Sequence, residues 1–210
     1  APHRPPGLVG LFDWGNVADL RAVIVVDYQN VHLTGHGLFA SARYLPKHET
    51  LVDPLFFGQA LIRARNAAQR EGMRRAELRQ VLVYRGLPAS EHDPAAYARN
   101  LAQKAQWERD PRVTVTLRPL KYEYERAADG RPASDSEGRK IIKQVKEKGV
   151  DVLCALAMVR AAQDPETDLV ILASSDSDLA PALDEVLRIG NAKAETCCWY
   201  NRVERRGFQL

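Results

Sequence analysis

Short apolar runs punctuate the chain at wide intervals, and the stretches between them carry helical spacing. Ala22 to Val26 is continuous, rich in β-branched residues and stopped by Asp27, the pattern of a strand buried on both faces. Val81 to Tyr84 and Leu169 to Ala173 read the same way. Val113, Val115 and Leu117 alternate with Thr114 and Thr116, which predicts a strand with one exposed face, nearer a sheet edge. Asp53-Pro54 and Asp93-Pro94 each set an N-cap before a residue tolerated at the first helical position. Phe57, Ala60, Leu61, Ala64 and Ala68, and then Tyr97, Leu101 and Ala105, follow them at helical spacings. Val152 to Ala162 and Leu179 to Ile189 predict two more helices, the second stopped by Gly190. Such alternation predicts an α/β fold, a three-layer α/β/α sandwich with a mainly parallel central sheet in the doubly wound, Rossmann-like class.

Residues 1–20, with Pro5, Pro6, Gly7, Gly10 and Gly15, lack sustained periodicity and read as an N-terminal arm. The domain then spans 21–200, and 201–210 forms a C-terminal tail. Within it, 118–145 is a charged insertion, and its polar part from Lys121 to Lys140 predicts an exposed loop or hairpin. The 210 residues are 45% hydrophobic and 27% charged, enough apolar content for a packed core. No window approaches a membrane span, and Ala1 to Gly10 is too poor in apolar residues for a signal-peptide core, so a soluble, cytoplasmic protein is expected. Cys154, Cys197 and Cys198 form no CxxC pair, which argues against a disulfide framework.

A net charge of +3 implies no polyanionic partner by itself. Seven arginines between Leu61 and Arg85 (Arg63, Arg65, Arg70, Arg74, Arg75, Arg79 and Arg85) face only Glu71 and Glu77. That excess either follows a phosphate backbone or forms a solvated face.

Open parallel sheets bind ligands beyond the carboxyl ends of their strands. Asp27 and Asn30 follow the first run, Ser174-Ser175-Asp176-Ser177-Asp178 follow Leu169 to Ala173, and Asp151 stands at the start of a predicted helix. Two such carboxylates about 4 Å apart repel by roughly 4 kcal/mol at an effective dielectric near 20, so a counter-charge is required. With no His or Cys beside them, the acids suit Mg²⁺ or Mn²⁺ rather than zinc. A carboxylate-held ion of that kind serves phosphodiester hydrolysis. Asp151 and Asp178 also suit simple helix capping, and Asn30 an Asx turn. Asp27 ends a strand with no evident capping duty.

Three segments resemble the NYN domain family, a branch of the PIN-like metal-dependent nucleases. They are Val25-Val26-Asp27-Tyr28-Gln29-Asn30-Val31, Glu147-Lys148-Gly149-Val150-Asp151-Val152, and Ala173-Ser174-Ser175-Asp176-Ser177-Asp178-Leu179. They correspond in order to the family's apolar strand with Asp-x-x-Asn, its Lys-Gly-Val-Asp-Val segment and its Ser-Gly-Asp-Ser-Asp-Phe segment, across roughly residues 21 to 200. The resemblance implies a PIN-like sandwich, a site for one or two Mg²⁺ or Mn²⁺ ions, and RNA, single-stranded or structured, as substrate. It implies that Asp27, Asp151, Asp176 and Asp178 hold metal, that Asn30 orients substrate or water, and that Lys148 contacts phosphate. Two departures stand out: Ala157 falls where many members carry a further acid, and Ser175 replaces a glycine. Loss of that acid opens the alternative of an RNA-binding or regulatory protein with weak or no catalysis.

Arg85 and Arg118 end the runs beginning at Val81 and Val113 and, with Ser175, complete the candidate substrate contacts. Their basic character also argues against a receiver-type phosphoacceptor site, which needs an acid at the end of a middle strand. His32 and His36 have the spacing of a zinc-binding helix, but Gly35 and Gly37 oppose a helix there, so His32 is expected to touch substrate instead. Tyr122 and Tyr124 lie among Arg118, Lys121 and Arg126, where they either stack bases or pack a hairpin onto the domain. Cys197, Cys198 and Trp199 are expected to finish a last strand.

Overall fold

The computed structural model describes residues 18–40, 44–69, 73–203 and 206–207; most of the expected N-terminal arm and the end of the expected tail lie outside these. β1 (Leu20–Asp27), β2 (Ala76–Leu87), β3 (Val113–Pro119), β6 (Leu169–Ala173) and β7 (Lys193–Cys197) form one sheet in the order β3-β2-β1-β6-β7. Every pairing in it is parallel. The three runs read as doubly buried fall in β1, β2 and β6, the interior strands; β1 and β6 are buried nearly throughout and β2 only in part, and the alternating β3 is an edge.

Side chains along β1 take opposite faces in turn. Ala22, Ile24 and Val26 pack with Tyr28 and Val31 of α1 (Tyr28–Phe39), Ile62 of α2 (Pro54–Ala68) and Trp107 of α3 (Pro94–Trp107). Val23 and Val25 pack on the other side with Cys154 and Met158 of α4 (Val150–Gln163) and Val186 of α5 (Ala180–Ile189). The result is the three-layer α/β/α sandwich. Asp53 and Asp93 cap α2 and α3 as the Asp-Pro pairs predict, accepting from the amides of Phe56 and Ala96 at 2.9 and 2.8 Å. Gly190, with φ +77°, ends α5 in the left-handed conformation that glycine adopts without penalty.

The charged insertion is a hairpin: β4 (Lys121–Tyr124) pairs antiparallel with β5 (Ile142–Lys146). Its tyrosines pack inward. Tyr122 Oη accepts from the Ala89 amide at 2.9 Å, Tyr124 Oη lies 2.9 Å from His92 Nε2, and both rings lie against the His92 ring. A short pair, β8 (Tyr200–Asn201) with β9 (Arg206–Gly207), follows the main sheet. Among the described residues no helix is long and apolar enough to cross a membrane.

The expectation that Gly35 and Gly37 break the helix around His36 is corrected by α1, which runs through both. A side chain at Gly35 would stand 2.9 Å from Trp199 Nε1, so the glycine lets the indole close onto the helix, where Nε1 donates to the Val31 carbonyl at 2.7 Å. That contact offsets the weak helix propensity.

Ile24 is fully buried and touches the backbone side of Gly58. Replacing Ile24 with Ala is expected to lower the unfolding free energy by about 2–5 kcal/mol, read from the urea midpoint at unchanged slope.

Candidate active site

Between β1 and β6 the chain reverses its order of travel across the sheet, the switch point at which such folds open a crevice. The last β1–β6 pair is Val26 with Ala173. Asp27 and Ser174 therefore emerge side by side, and Ser174 Oγ donates to Asp27 Oδ2 at 3.2 Å while itself accepting from the Asp176 amide at 3.1 Å. Asp27 also has a capping duty after all: its Oδ1 accepts from the Asn30 amide at 3.2 Å, which corrects the reading of it as free of any helix. One side chain thus ends a strand, starts a helix and borders the crevice.

Asp27, Glu147, Lys148, Asp151 and Asp176 line a cleft of about 450 Å³. Three acids expected from distant segments are gathered there, and Glu147 joins them. Among the described residues no group of three or more His, Cys, Asp or Glu side chains is placed so as to hold a metal ion. Asp178 is not among the lining residues; its amide donates to Asp176 Oδ1 at 3.0 Å, in the short 3-10 turn Ser177–Leu179 before α5. The capping role weighed for Asp178 therefore falls to Asp176. Gly149, at φ +74°, is the N-cap of α4, which moves Asp151 from the expected cap into the first helical turn. There its negative charge is favoured by the helix dipole.

The cleft is electrostatically strained. Asp27, 9% exposed, has its carboxyl pushed above the ordinary value, first by burial and then by the like charges of Asp176 and Asp151, while the Asn30 amide and the Ser174 hydroxyl pull the other way. Glu147 is pushed up as well, chiefly by burial and next by Asp27. Among the described residues its buried Oε1 has no hydrogen-bond partner of ordinary geometry; it faces the Gly86 backbone, which draws the carboxyl partly back down, and a side chain added at Gly86 would stand 2.6 Å from it. Glu147 sits inside the Lys-Gly-Val-Asp motif but had no role assigned; an acid at the exit of a strand on the same rim was the available signal.

The expected substrate contacts divide. Lys148 lines the cleft, is exposed, and takes part in no ion pair among the described residues. Arg118 Nε donates to the Lys148 carbonyl at 2.6 Å and so buttresses that loop. Ser175 donates from its amide and its hydroxyl to Asn30 Oδ1 at 3.0 and 2.9 Å. That pair ties the loop after β6 to α1, in place of the Asx turn weighed for Asn30. Arg85 is turned inward: its Nη1 donates to Gln103 Oε1 at 2.7 Å and its guanidinium lies 4.8 Å from the centre of the Tyr28 ring. His32 is corrected from a substrate contact to a buried tie, because helix α1 carries it inward to lie 2.9 Å from the Lys47 carbonyl. Burial lowers its pKa and keeps it neutral. In the arginine cluster, Arg65 pairs with Glu195 and Arg79 with Asp164, at 2.7 and 2.6 Å. These ion pairs spend that part of the cluster on the fold; Arg70 lies outside the described residues.

No known family profile and no curated protein matches the chain. A solved structure of a protein of unknown function from Vibrio parahaemolyticus RIMD 2210633 is similar, at 22% identity and a TM-score of 0.46, over 86% of this chain and 82% of that one.

A carboxyl group raised on folding contributes stability that is complete below its unfolded value, 3.8 for Asp27, and is lost as pH rises through the folded value. Asp27→Asn removes the charge and keeps a competent N-cap. In chelator the variant is therefore expected to melt above the parent at pH 7, with the difference shrinking as pH falls toward 3.8, as differential scanning calorimetry would read.

Proposed function

We propose that the protein is a Mg²⁺- or Mn²⁺-dependent ribonuclease that hydrolyses phosphodiester bonds in the cleft between β1 and β6. The observation that carries this reading is the convergence of Asp27, Asp151, Asp176 and Glu147, from three separate stretches of chain, around one lysine-edged cleft. The donor set is all oxygen, which suits a hard divalent cation. The raised carboxyl of Asp27 and the unpartnered oxygen of Glu147 are the features an added positive charge would relieve. Asp27, Asp151 and Asp176 would hold the ion, and Asp178, outside the cleft lining, is left out of the set. A bound ion supplies charge stabilisation at the scissile phosphate and acidifies a coordinated water.

The remaining work falls to the chain. Lys148, on its buttressed loop, neutralises the phosphate that enters the cleft. Ser174 keeps Asp27 oriented, and the Asn30–Ser175 pair keeps the two sides of the switch point at a constant separation. Glu147 adds a fourth carboxyl group to the same cleft.

A second reading, RNA binding without turnover, is supported by Ala157. That residue is buried in the core between α4 and the sheet, so α4 adds no second acid at that position. A labelled RNA incubated with the purified protein separates the two. Under the first reading, cleavage appears with Mg²⁺ or Mn²⁺ and stops in chelator. Asp27→Asn and Asp176→Asn each lower the rate at least a hundredfold with circular dichroism unchanged, and Glu147→Gln lowers it by a smaller factor. Salt-sensitive binding with no cleavage under any divalent ion would instead establish the second.

Ion binding has its own readout. Mn²⁺ at a hundredfold excess over its dissociation constant adds about 2.7 kcal/mol to stability. The parent is expected to show the corresponding rise in melting temperature, and Asp27→Asn to lose most of it.

A further inference from the structure

We propose that the apolar groove beside the acidic cleft receives unstacked bases of a single-stranded RNA whose backbone crosses the carboxylates; this rests on the ribonuclease reading and adds a base-binding subsite to it. The groove, about 560 Å³, lies among α1, α2 and the segment that leaves β7. Phe56, Phe57, Leu61 and Trp199 supply most of its wall, and Asn30, Ser174 and Ser175 form the rim toward the cleft. Ser174 is the residue whose hydroxyl holds Asp27. Ser175 lines the groove and Asp176, the next residue, lines the cleft, so the two cavities adjoin along one loop.

The chemistry of the lining selects bases over backbone. Among the described residues no lysine, arginine or histidine lines the groove, and its one acid, Asp53, already caps α2. A phosphate gains nothing by entering, whereas a base offers a π-face to aromatic walls and leaves its phosphate outside. Phe56 is 67% exposed at the mouth, and the Phe57 and Trp199 rings stand 5.5 Å apart at 60°. Such platforms hold any base, because stacking does not depend on its hydrogen-bonding edge. One polar group adds a directed contact. Both Ser175 donors pin Asn30 Oδ1, so the Asn30 amide N–H₂ is left without a partner among the described residues and is oriented by that pair. It can donate to a carbonyl or a ring nitrogen on a base edge.

The test measures binding by the full chain in Ca²⁺, with two probes of equal length: a uridine octamer and an octamer of the same backbone without bases. Phe56→Ala, at an exposed position, and Ala60→Trp, which fills the groove, are each expected to weaken the uridine octamer roughly tenfold. Neither is expected to change the abasic octamer. Equal loss on both probes, or no loss on uridine, overturns the subsite and leaves the cleavage assay to judge the ribonuclease reading on its own. If neither octamer binds, both fall. A dimer that Phe56→Ala dissociates in light scattering assigns the groove to a second copy. An apolar dye held there and displaced by neither octamer assigns it to an apolar peptide. Either result overturns the proposal.

Discussion

The pairing of β1 with β6 is the contact on which the remaining architecture depends. Neither strand follows the other in the chain; 141 residues lie between Asp27, the end of β1, and Leu169, the start of β6, and the two are brought together because each is apolar on both faces and needs a neighbour on each edge and a helical layer above and below. Once they lie in register, Asp27 and Ser174 are forced out at the same level. The acidic cleft, the cap of α1 and the rim of the apolar groove all start from that point.

The site is assembled at a cost to the fold that bears it. Burial and like charge both raise Asp27, and Glu147 has a buried oxygen that no donor of ordinary geometry satisfies among the described residues. Local inconsistencies of this kind, a carboxylate where an apolar or neutral group would be more stable, concentrate where a protein does chemistry. Elsewhere the same chain pairs its charges. Arg21 binds Asp168, and Arg112 binds Asp110, each drawing its acid down to about 2. The contrast between paired acids at the periphery and unpaired acids at the switch point supports reading the latter as functional.

Aromatic and basic residues divide differently from what their spacing suggests. Tyr122 and Tyr124 alternate with charge as a base-stacking strand would, yet they hold the hairpin onto the loop before α3. Much of the arginine cluster between Leu61 and Arg85 holds helix to strand. Phe56 is one of several exposed aromatic residues, with Phe39, Tyr44 and Tyr200, and it stands in a helix whose periodicity marks only a core face, beside Phe57 and Trp199 in one groove. Periodicity tells which face of an element is apolar. It does not tell which apolar residues find cover.

How much was legible follows from the range of each interaction. The strands, the Asp-Pro caps, the stop at Gly190 and the α/β/α class are set by neighbours a few positions apart, and so could be read directly from the chain. The insertion over 118–145 was read as a loop or hairpin without a choice between them, because the pairing of Lys121–Tyr124 with Ile142–Lys146 is set across the turn and not by near neighbours. Helix α1 was not legible, since Gly35 and Gly37 argue against it locally and the indole of Trp199, 164 residues further on, provides the reason for Gly35. The identity of Asp27, Asp151 and Asp176 as candidates came from sequence and the rule for strand ends. That Glu147 shares their cleft, that Asp176 rather than Asp178 borders it, and that His32 and Arg85 turn inward depended on helix rotation and side-chain packing across layers. Such features depend on which distant surfaces meet, so only the folded molecule decides them.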